Sequence, residues 1–184
     1  MPSPVVHVSA GYLFYRLTRD RLGVPATRPL GRLLLAAALI FLAMLPDLDA
    51  ALGLVLGDLG KYHNQANHSL MAGAMWAVGV ALVASLGGVR IAGRWFAAAL
   101  TSYYAHLLFD YFTIGRGLKL LWPISGERFR APFAVFYGLR WSEGLVSVNH
   151  FWTLFSEVGF VLVAAIAVHL ARQYSERGGF RGDN

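Results

Sequence analysis

Residues 33–49 read LLLAAALIFLAMLPDLD, in which thirteen apolar side chains run from Leu33 to Leu45 and are followed by a proline and two aspartates. Ionisable groups at the end of such an apolar block are costly in a membrane and indicate a functional site. The whole chain has 57% hydrophobic and 14% charged residues, against about 25% charged in an average soluble domain. This composition excludes disorder and predicts one membrane-embedded domain over residues 1–184.

Five apolar segments, all predicted to be helical, cover approximately residues 4–18, 33–57 with an interruption, 69–87, 91–113 and 151–171. Their lengths and their Ala and Leu content favour helices over strands, and glycine and proline signals separate them. The sequence therefore predicts an all-α, multi-pass membrane bundle of about four to five helices. Residues 114–150 form the longest stretch without an apolar block, and we expect an ordered loop at the membrane surface there.

The charged residues predict an orientation in the membrane. Ten arginines fall on one side of the predicted bundle: Arg16, Arg19, Arg21, Arg28, Arg32, Arg90, Arg94, Arg172, Arg177 and Arg181. Cytoplasmic loops carry the excess of basic residues, so this side is predicted to face the cytoplasm. Because these arginines flank apolar blocks and do not form one polar face with aromatics, nucleic acid is not expected as a partner. The chain has no cysteine, which excludes thiolate metal sites.

Histidines and aspartates gather at the segment ends that this topology places on the opposite, outer face. Seven of them form the predicted metal site: His7, Asp47, Asp49, His63, His68, His106 and Asp110. Nitrogen and oxygen ligands without sulfur suit two or more divalent ions, with zinc as the first choice and manganese or iron as alternatives. An open coordination position on such an ion would activate water for ester or phosphoester hydrolysis.

Spacing sharpens the prediction for two of these pairs. His106 and Asp110 are four residues apart, so both side chains project from one face of a helix. Asp47 and Asp49 follow a proline that disfavours helical geometry at Leu45, so we expect an extended turn that aims both carboxylates the same way. The membrane edge of the bundle is therefore the predicted position of the site.

The remaining histidines are less constrained by spacing. His63 and His68 would point about 140° apart on a continuous helix, so at least one is expected on a loop or at a helix start. A single histidine of this kind is more often a hydrogen-bonded structural residue, whereas three converging pairs favour a metal site. Glu157 shares a helix face with His150, and it either orients a ligand imidazole or makes a polar contact between helices.

Together these motifs resemble those of the YdjM family of inner-membrane, metal-dependent hydrolases. The resemblance covers most of the chain and rests on His7, LPDLD at 45–49, His63 to Ser69, HLLFD at 106–110, GLKLLWP at 117–123 and RFRAP at 128–132. A glutamate in the last part of the family pattern is similar to Glu143. The resemblance implies a multi-helix protein of the bacterial inner membrane with a histidine and aspartate metal site, distantly similar to zinc-dependent phospholipase C and P1-type nucleases.

One departure from the family pattern concerns substrate binding. The family usually reads His-Arg-Gly-x-Thr-His-Ser, whereas Asn64 and Asn67 occupy the Arg and Thr positions here. If that arginine clamps a phosphate, either another cation replaces it or the substrate differs. The available replacements are Arg116, Arg128, Arg130 and Arg140, and we expect Arg128, Arg130 and Arg140 to bind the substrate.

Two functions remain open from the sequence. The first is a membrane-bound hydrolase that cleaves a phosphoester or ester of a lipid-like substrate, with Asp49, His68 and Glu143 as catalytic residues. The second is a non-enzymatic membrane protein that binds metal for transport or interaction. An open coordination position beside a lipid-sized groove would favour the first function, and a polar path through the bundle would favour the second.

Overall fold

The computed structural model describes residues 3–23, 28–139 and 147–179, and this part of the chain is helical without a β-strand. Five long helices carry the fold: α1 (Pro4–Thr18), α2 (Pro29–Met44), α5 (Leu70–Leu86), α6 (Ala92–Tyr111) and α7 (Val148–Gly179). Between α2 and α5 lie a 3-10 turn (Leu45–Asp47), α3 (Leu48–Val55) and the single-turn α4 (Leu59–Tyr62). The all-α class predicted from the sequence is confirmed.

Local sequence signals explain where the helices begin. Ser3 caps α1 and accepts a hydrogen bond from the Val5 amide, and Ser69 caps α5 in the same way. The second helix starts at Pro29 and not near Leu33, so the predicted boundary was wrong. Proline has no amide hydrogen to lose in the first helical turn, and its fixed φ suits that position, which is why the helix includes the polar residues before the apolar block.

The chain around Pro46 also differs from its prediction. Leu45 has helical dihedral angles, φ −54° and ψ −40°, and Leu45–Asp47 form a 3-10 turn and not an extended one. Leu45 is only 2% exposed, and this packing outweighs the weak preference of a residue before proline for extended geometry. As a result an apolar helical stretch runs almost continuously from Pro29 to Val55, 27 residues with a mean hydropathy of 2.0.

Two stretches are long and apolar enough to cross a membrane, Pro29–Val55 and Val148–Ser175, and α5 is a shorter apolar helix. Many large hydrophobic side chains on these helices are exposed, among them Val55 at 82% and Leu86 at 88%. Exposed apolar helix surfaces of this size are unusual for a water-soluble monomer and match a lipid environment.

Packing arranges the helices around α2 and α6. Helix α6 contacts α5 and α2, α1 contacts α2, and α7 lies against α1. Leu39, Ala77 and Tyr103 are among the most buried residues of this core. The segment after α6 packs over the start of α5, where the Leu70 amide donates to the Leu120 carbonyl at 3.0 Å. The expected ordered loop is therefore present over residues 113–139, while residues 140–146 lie outside the described part.

Candidate metal centre

The structure brings all seven predicted ligand residues together. His7 lies on α1, Asp47 and Asp49 lie at the junction of the 3-10 turn and α3, and His106 and Asp110 share one face of α6. His63 and His68 both lie in turns between α4 and α5, which agrees with the expected loop position. The side chains form two groups whose ligand atoms are within 4.8 Å of one another: Asp47, Asp49, His63 and His68; and His7, His106 and Asp110.

Four ligand atoms at the centre lie close enough to one another to share one metal ion. Asp47 Oδ1 lies 3.6 Å from His68 Nε2 and 3.5 Å from His106 Nε2. Asp110 Oδ2 lies 3.3 Å and 3.5 Å from the same two nitrogens. Ligands about 2.0–2.1 Å from a tetrahedral zinc ion are roughly 3.3–3.4 Å apart, so these four interatomic distances fit one ion.

Hydrogen bonds on the outer side of the imidazoles fix their orientation. Asp49 accepts from Nδ1 of His63 at 2.7 Å and from Nδ1 of His68 at 3.0 Å. The Ala43 carbonyl accepts from Nδ1 of His106 at 2.8 Å. With the proton on Nδ1, each Nε2 carries its lone pair toward the centre, which is the arrangement found around metal-bound histidines.

The inward atoms are buried and have no hydrogen-bond partner among the described residues. They are Nε2 of His7, His63, His68 and His106, Oδ1 of Asp47, and both carboxylate oxygens of Asp110. Buried polar atoms are nearly always hydrogen-bonded, and two unpaired carboxylates facing one another are costly. One or two cations among them would satisfy every one of these atoms, so the donor set fits a metal.

Asp110 links the two groups. Its Oδ2 faces His68 and His106, whereas its Oδ1 lies 3.5 Å from His7 Nε2. The His7 ring stacks on the His106 ring with centroids 3.6 Å apart. Asp110 therefore contacts candidate ligands of both groups, one with each carboxylate oxygen.

The electrostatics of His68 show how strongly the aspartates favour a positive charge. Burial lowers the pKa of the imidazole, but the carboxylates of Asp110, Asp47 and Asp49 around it outweigh burial, and the pKa lies well above its ordinary value. The same carboxylates would favour a bound cation at this position, where a metal ion would take the neutral imidazole as its ligand.

The predicted substrate-binding arginines occupy different environments. Arg128 donates through Nη1 to the Asn64 carbonyl at 3.2 Å and to the Gly117 carbonyl at 3.0 Å, and Arg116 donates to the His63 carbonyl. Burial, and next the charge of Arg116, lower the pKa of Arg128. Both arginines thus hold the turn that carries His63.

The other predicted substrate-binding and catalytic residues are Arg130, Arg140 and Glu143. Arg130 is exposed. Arg140 and Glu143 lie outside the described residues, so the substrate-binding prediction for Arg140 and the catalytic prediction for Glu143 remain predictions.

Sequence reasoning missed how Asn67 connects the site. Its Nδ2 donates to the carbonyls of Leu45 at 2.9 Å and Pro46 at 2.8 Å, and the Tyr103 hydroxyl donates to its backbone carbonyl. These bonds tie the His68 turn to the Pro46 turn. The sequence signal for these bonds is Asn67, which replaces the family's Thr next to the predicted ligand His68. A side-chain amide has two N–H donors, one for each of the two carbonyls.

Glu157 makes the polar contact between helices, the second of its two predicted roles. The fully buried carboxylate accepts from the Ser3 amide at 2.5 Å and from the Ser3 hydroxyl. Ser3 caps α1 and lies one turn before His7, so Glu157 fixes the start of α1 against α7.

Replacing Glu157 with alanine is expected to lower the free energy of unfolding by about 1–3 kcal/mol, because the amide and hydroxyl of Ser3 lose their acceptor. Glu157→Gln keeps one acceptor oxygen and should lose less. Thermal unfolding in detergent measures both variants, and equal stability of the two would contradict this role.

Comparisons with known proteins agree with the membrane character of the chain. A family model described as YdjM inner membrane protein matches residues 1–178. Inner membrane protein YbcI of Escherichia coli (strain K12) is 39% identical over 116 residues, which cover 56% of this chain and 61% of the relative. The chain thus spans 61% of the length of that curated relative. No solved structure matches the chain.

Proposed function

The chain belongs to the YdjM inner membrane protein family, and from that premise we propose that it is a multi-pass membrane hydrolase with a divalent metal centre. The substrate class we propose is a phosphoester or ester of a lipid-like molecule. The observation that carries the proposal is the set of three imidazoles held through Nδ1, whose Nε2 atoms converge with unpaired oxygens of Asp47 and Asp110. Zinc is the proposed ion, with manganese and iron as alternatives.

A bound divalent ion would supply water activation, lowering the pKa of a coordinated water toward about 7. His68, His106, Asp47 and Asp110 would hold the central ion. His7 with the second oxygen of Asp110, and His63 beside Asp47 at 3.9 Å, would complete a second position. Asp49 holds two imidazoles in the ligand tautomer, so we propose that its contribution to catalysis is to position them.

Access to the site favours one side of the cluster. The side chains of Asp47 and Asp49 are 13% and 11% exposed, whereas those of His106 and Asp110 are at most 1% exposed. Substrate and water would therefore approach past Asp47 and Asp49. Arg116 and Arg128 lie on that side through their bonds to the His63 turn, where their charge would attract an anionic headgroup.

Metal analysis followed by a substrate screen tests this function. Protein purified in detergent should carry more than one equivalent of divalent metal and hydrolyse a phospholipid or a model phosphoester. His106→Ala should remove both properties, while His169→Ala, on the exposed surface of α7, should retain them. Metal lost in His106→Ala without hydrolysis by the wild type would favour the alternative, a non-enzymatic metal-binding membrane protein. Metal content unchanged in His106→Ala would contradict the centre itself.

The orientation of the chain in the membrane can be tested by labelling single introduced cysteines. A cysteine at position 66, introduced into this cysteine-free chain, should react with an impermeant thiol reagent added from outside. The asymmetry of ten arginines supports a position of the His63 turn on the side away from the cytoplasm. A cysteine at position 90 is the matched control and should react only after the cytoplasmic side is exposed. Labelling of position 66 from the cytoplasmic side alone would reverse the orientation.

A further inference from the structure

Arginines from three helices meet at the end of the bundle opposite the metal centre. Arg16 and Arg19 lie at the end of α1, Arg32 in the first turn of α2, and Arg172 on α7. Along α2, Arg32 and Asp47 are fifteen residues apart, about 22 Å at 1.5 Å per residue. Nothing in the metal centre accounts for this arginine cluster, which we define as Arg16, Arg19 and Arg32.

Among the described side chains, one carboxylate, that of Asp20, lies near these arginines. Arg172 donates to Asp20 Oδ2 at 3.2 Å, whereas Arg19 and Arg32 both lie 3.7 Å from the other oxygen, beyond hydrogen-bond distance. Asp20 is itself 60% exposed, so its attraction for Arg19 and Arg32 is weakened by solvent. Within the described part of the chain, the three arginines of the cluster have one shared aspartate, which leaves at least two of their positive charges without a carboxylate there.

The guanidinium groups also have unused donors. The Nε atoms of Arg16, Arg19 and Arg32 are buried and have no hydrogen-bond partner among residues 3–23, 28–139 and 147–179. Arginine presents a planar fork of donors that suits phosphate oxygens. Buried donors without acceptors beside excess positive charge indicate an anionic ligand that accepts hydrogen bonds.

The surroundings of the cluster identify the kind of anion. Leu17, Leu33 and Leu34 are next to these arginines in the chain and are 45%, 66% and 60% exposed. A soluble anion would leave this apolar surface uncovered, whereas a phospholipid would place its phosphate on the arginines and its acyl chains along the leucines. We propose that Arg16, Arg19 and Arg32 bind the phosphate of an anionic phospholipid from the leaflet opposite the metal centre.

Lipid retention by the purified full chain tests this proposal independently of hydrolysis. Native mass spectrometry would compare phosphatidylglycerol with phosphatidylethanolamine of the same acyl chains. The double variant Arg19→Gln/Arg32→Gln should retain phosphatidylglycerol about thirtyfold less well than the wild type. The control Lys61→Gln/Arg90→Gln removes the same number of charges from exposed positions and should change retention less than twofold.

Two further measurements check the folding of the double variant and the contribution of the planar guanidinium. Metal content of the double variant equal to that of the wild type shows that the bundle has folded, and Arg19→Lys/Arg32→Lys, which keeps the charge without the planar fork, should retain an intermediate amount. Equal retention of the two lipids by the wild type would overturn the proposal. So would equal losses in the two glutamine variants, or displacement of the lipid by inorganic phosphate at the lipid's own concentration.

Discussion

Removal of the proposed metal is expected to lower the thermal stability of the protein by roughly 10 °C and to abolish the proposed hydrolytic activity. Without an ion, the inward oxygens of Asp47 and Asp110 and the Nε2 atoms of four histidines are buried with no hydrogen-bond partner among the described residues. Loss of one partner of a buried charge pair costs about 3–5 kcal/mol, and each kcal/mol shifts Tm by roughly 2–4 °C in a chain of this size. Thermal unfolding in detergent before and after chelation measures the shift.

Asp110→Ala should reproduce the effect of chelation on metal content. Asp110 faces His7 with one oxygen and His68 with the other, so its loss affects both proposed metal positions. The variant should bind less than one equivalent of metal, and chelation should no longer change its Tm. His169→Ala is the control and should respond to chelation as the wild type does. Metal-loaded wild type whose Tm is unchanged by chelation would show that the ions are peripheral to the fold.

The helices and the cluster follow from short-range patterns in the sequence. Apolar blocks determine the helices, and the four-residue spacing of His106 and Asp110 places both on one face of α6. The predicted topology brings chain-distant segment ends to the same membrane face, and polar residues at those ends then have to meet. This is why the composition of the site could be predicted from the residues without the atomic contacts.

The roles of individual atoms depend on long-range packing and could not be predicted. Asp49 lies in a group that could hold a metal ion, as predicted, but its hydrogen bonds from Nδ1 of His63 and His68 were not predicted, because they depend on the turn that Asn67 fixes. Arg128 was expected to bind substrate, and in the structure it donates hydrogen bonds to the carbonyls of Asn64 and Gly117. Neither contact leaves a signal in residue spacing, because each joins segments that are distant in the chain.

The length of the second apolar block illustrates the same limit. Thirteen residues from Leu33 to Leu45 span about 20 Å as a helix, less than a hydrocarbon core of about 30 Å, so the block alone predicts a recessed Asp47 unless the helix extends back through Arg28 to Arg32. The helix does begin at Pro29, and an apolar helical stretch also continues past Asp47 through α3 to Val55. Asp47 consequently lies inside a 27-residue apolar stretch, which the block length did not predict.

The position of His7 depends on one glycine, and Gly11→Ala is expected to destabilise the protein by about 1–3 kcal/mol or more. A Cβ at Gly11 would lie 2.6 Å from Ile40 Cα and 3.0 Å from the Leu39 carbonyl oxygen, both backbone atoms of α2 that cannot rotate away. Helix α1 would have to move off α2. His7 lies one turn before Gly11 on the same face, so its stacking on His106 would be lost and metal binding would weaken.

Gly79→Ala gives the matched control with the opposite sign. A Cβ at Gly79 meets nothing within 4 Å, and the position lies inside α5, so alanine should stabilise the helix by about 0.5–1 kcal/mol. Thermal unfolding and metal analysis of the two variants separate a local helix effect from a displaced α1. If Gly11→Ala has the same metal content and the same Tm as Gly79→Ala, then the contact of Gly11 with α2 does not position His7. The second metal position would then form without this contact.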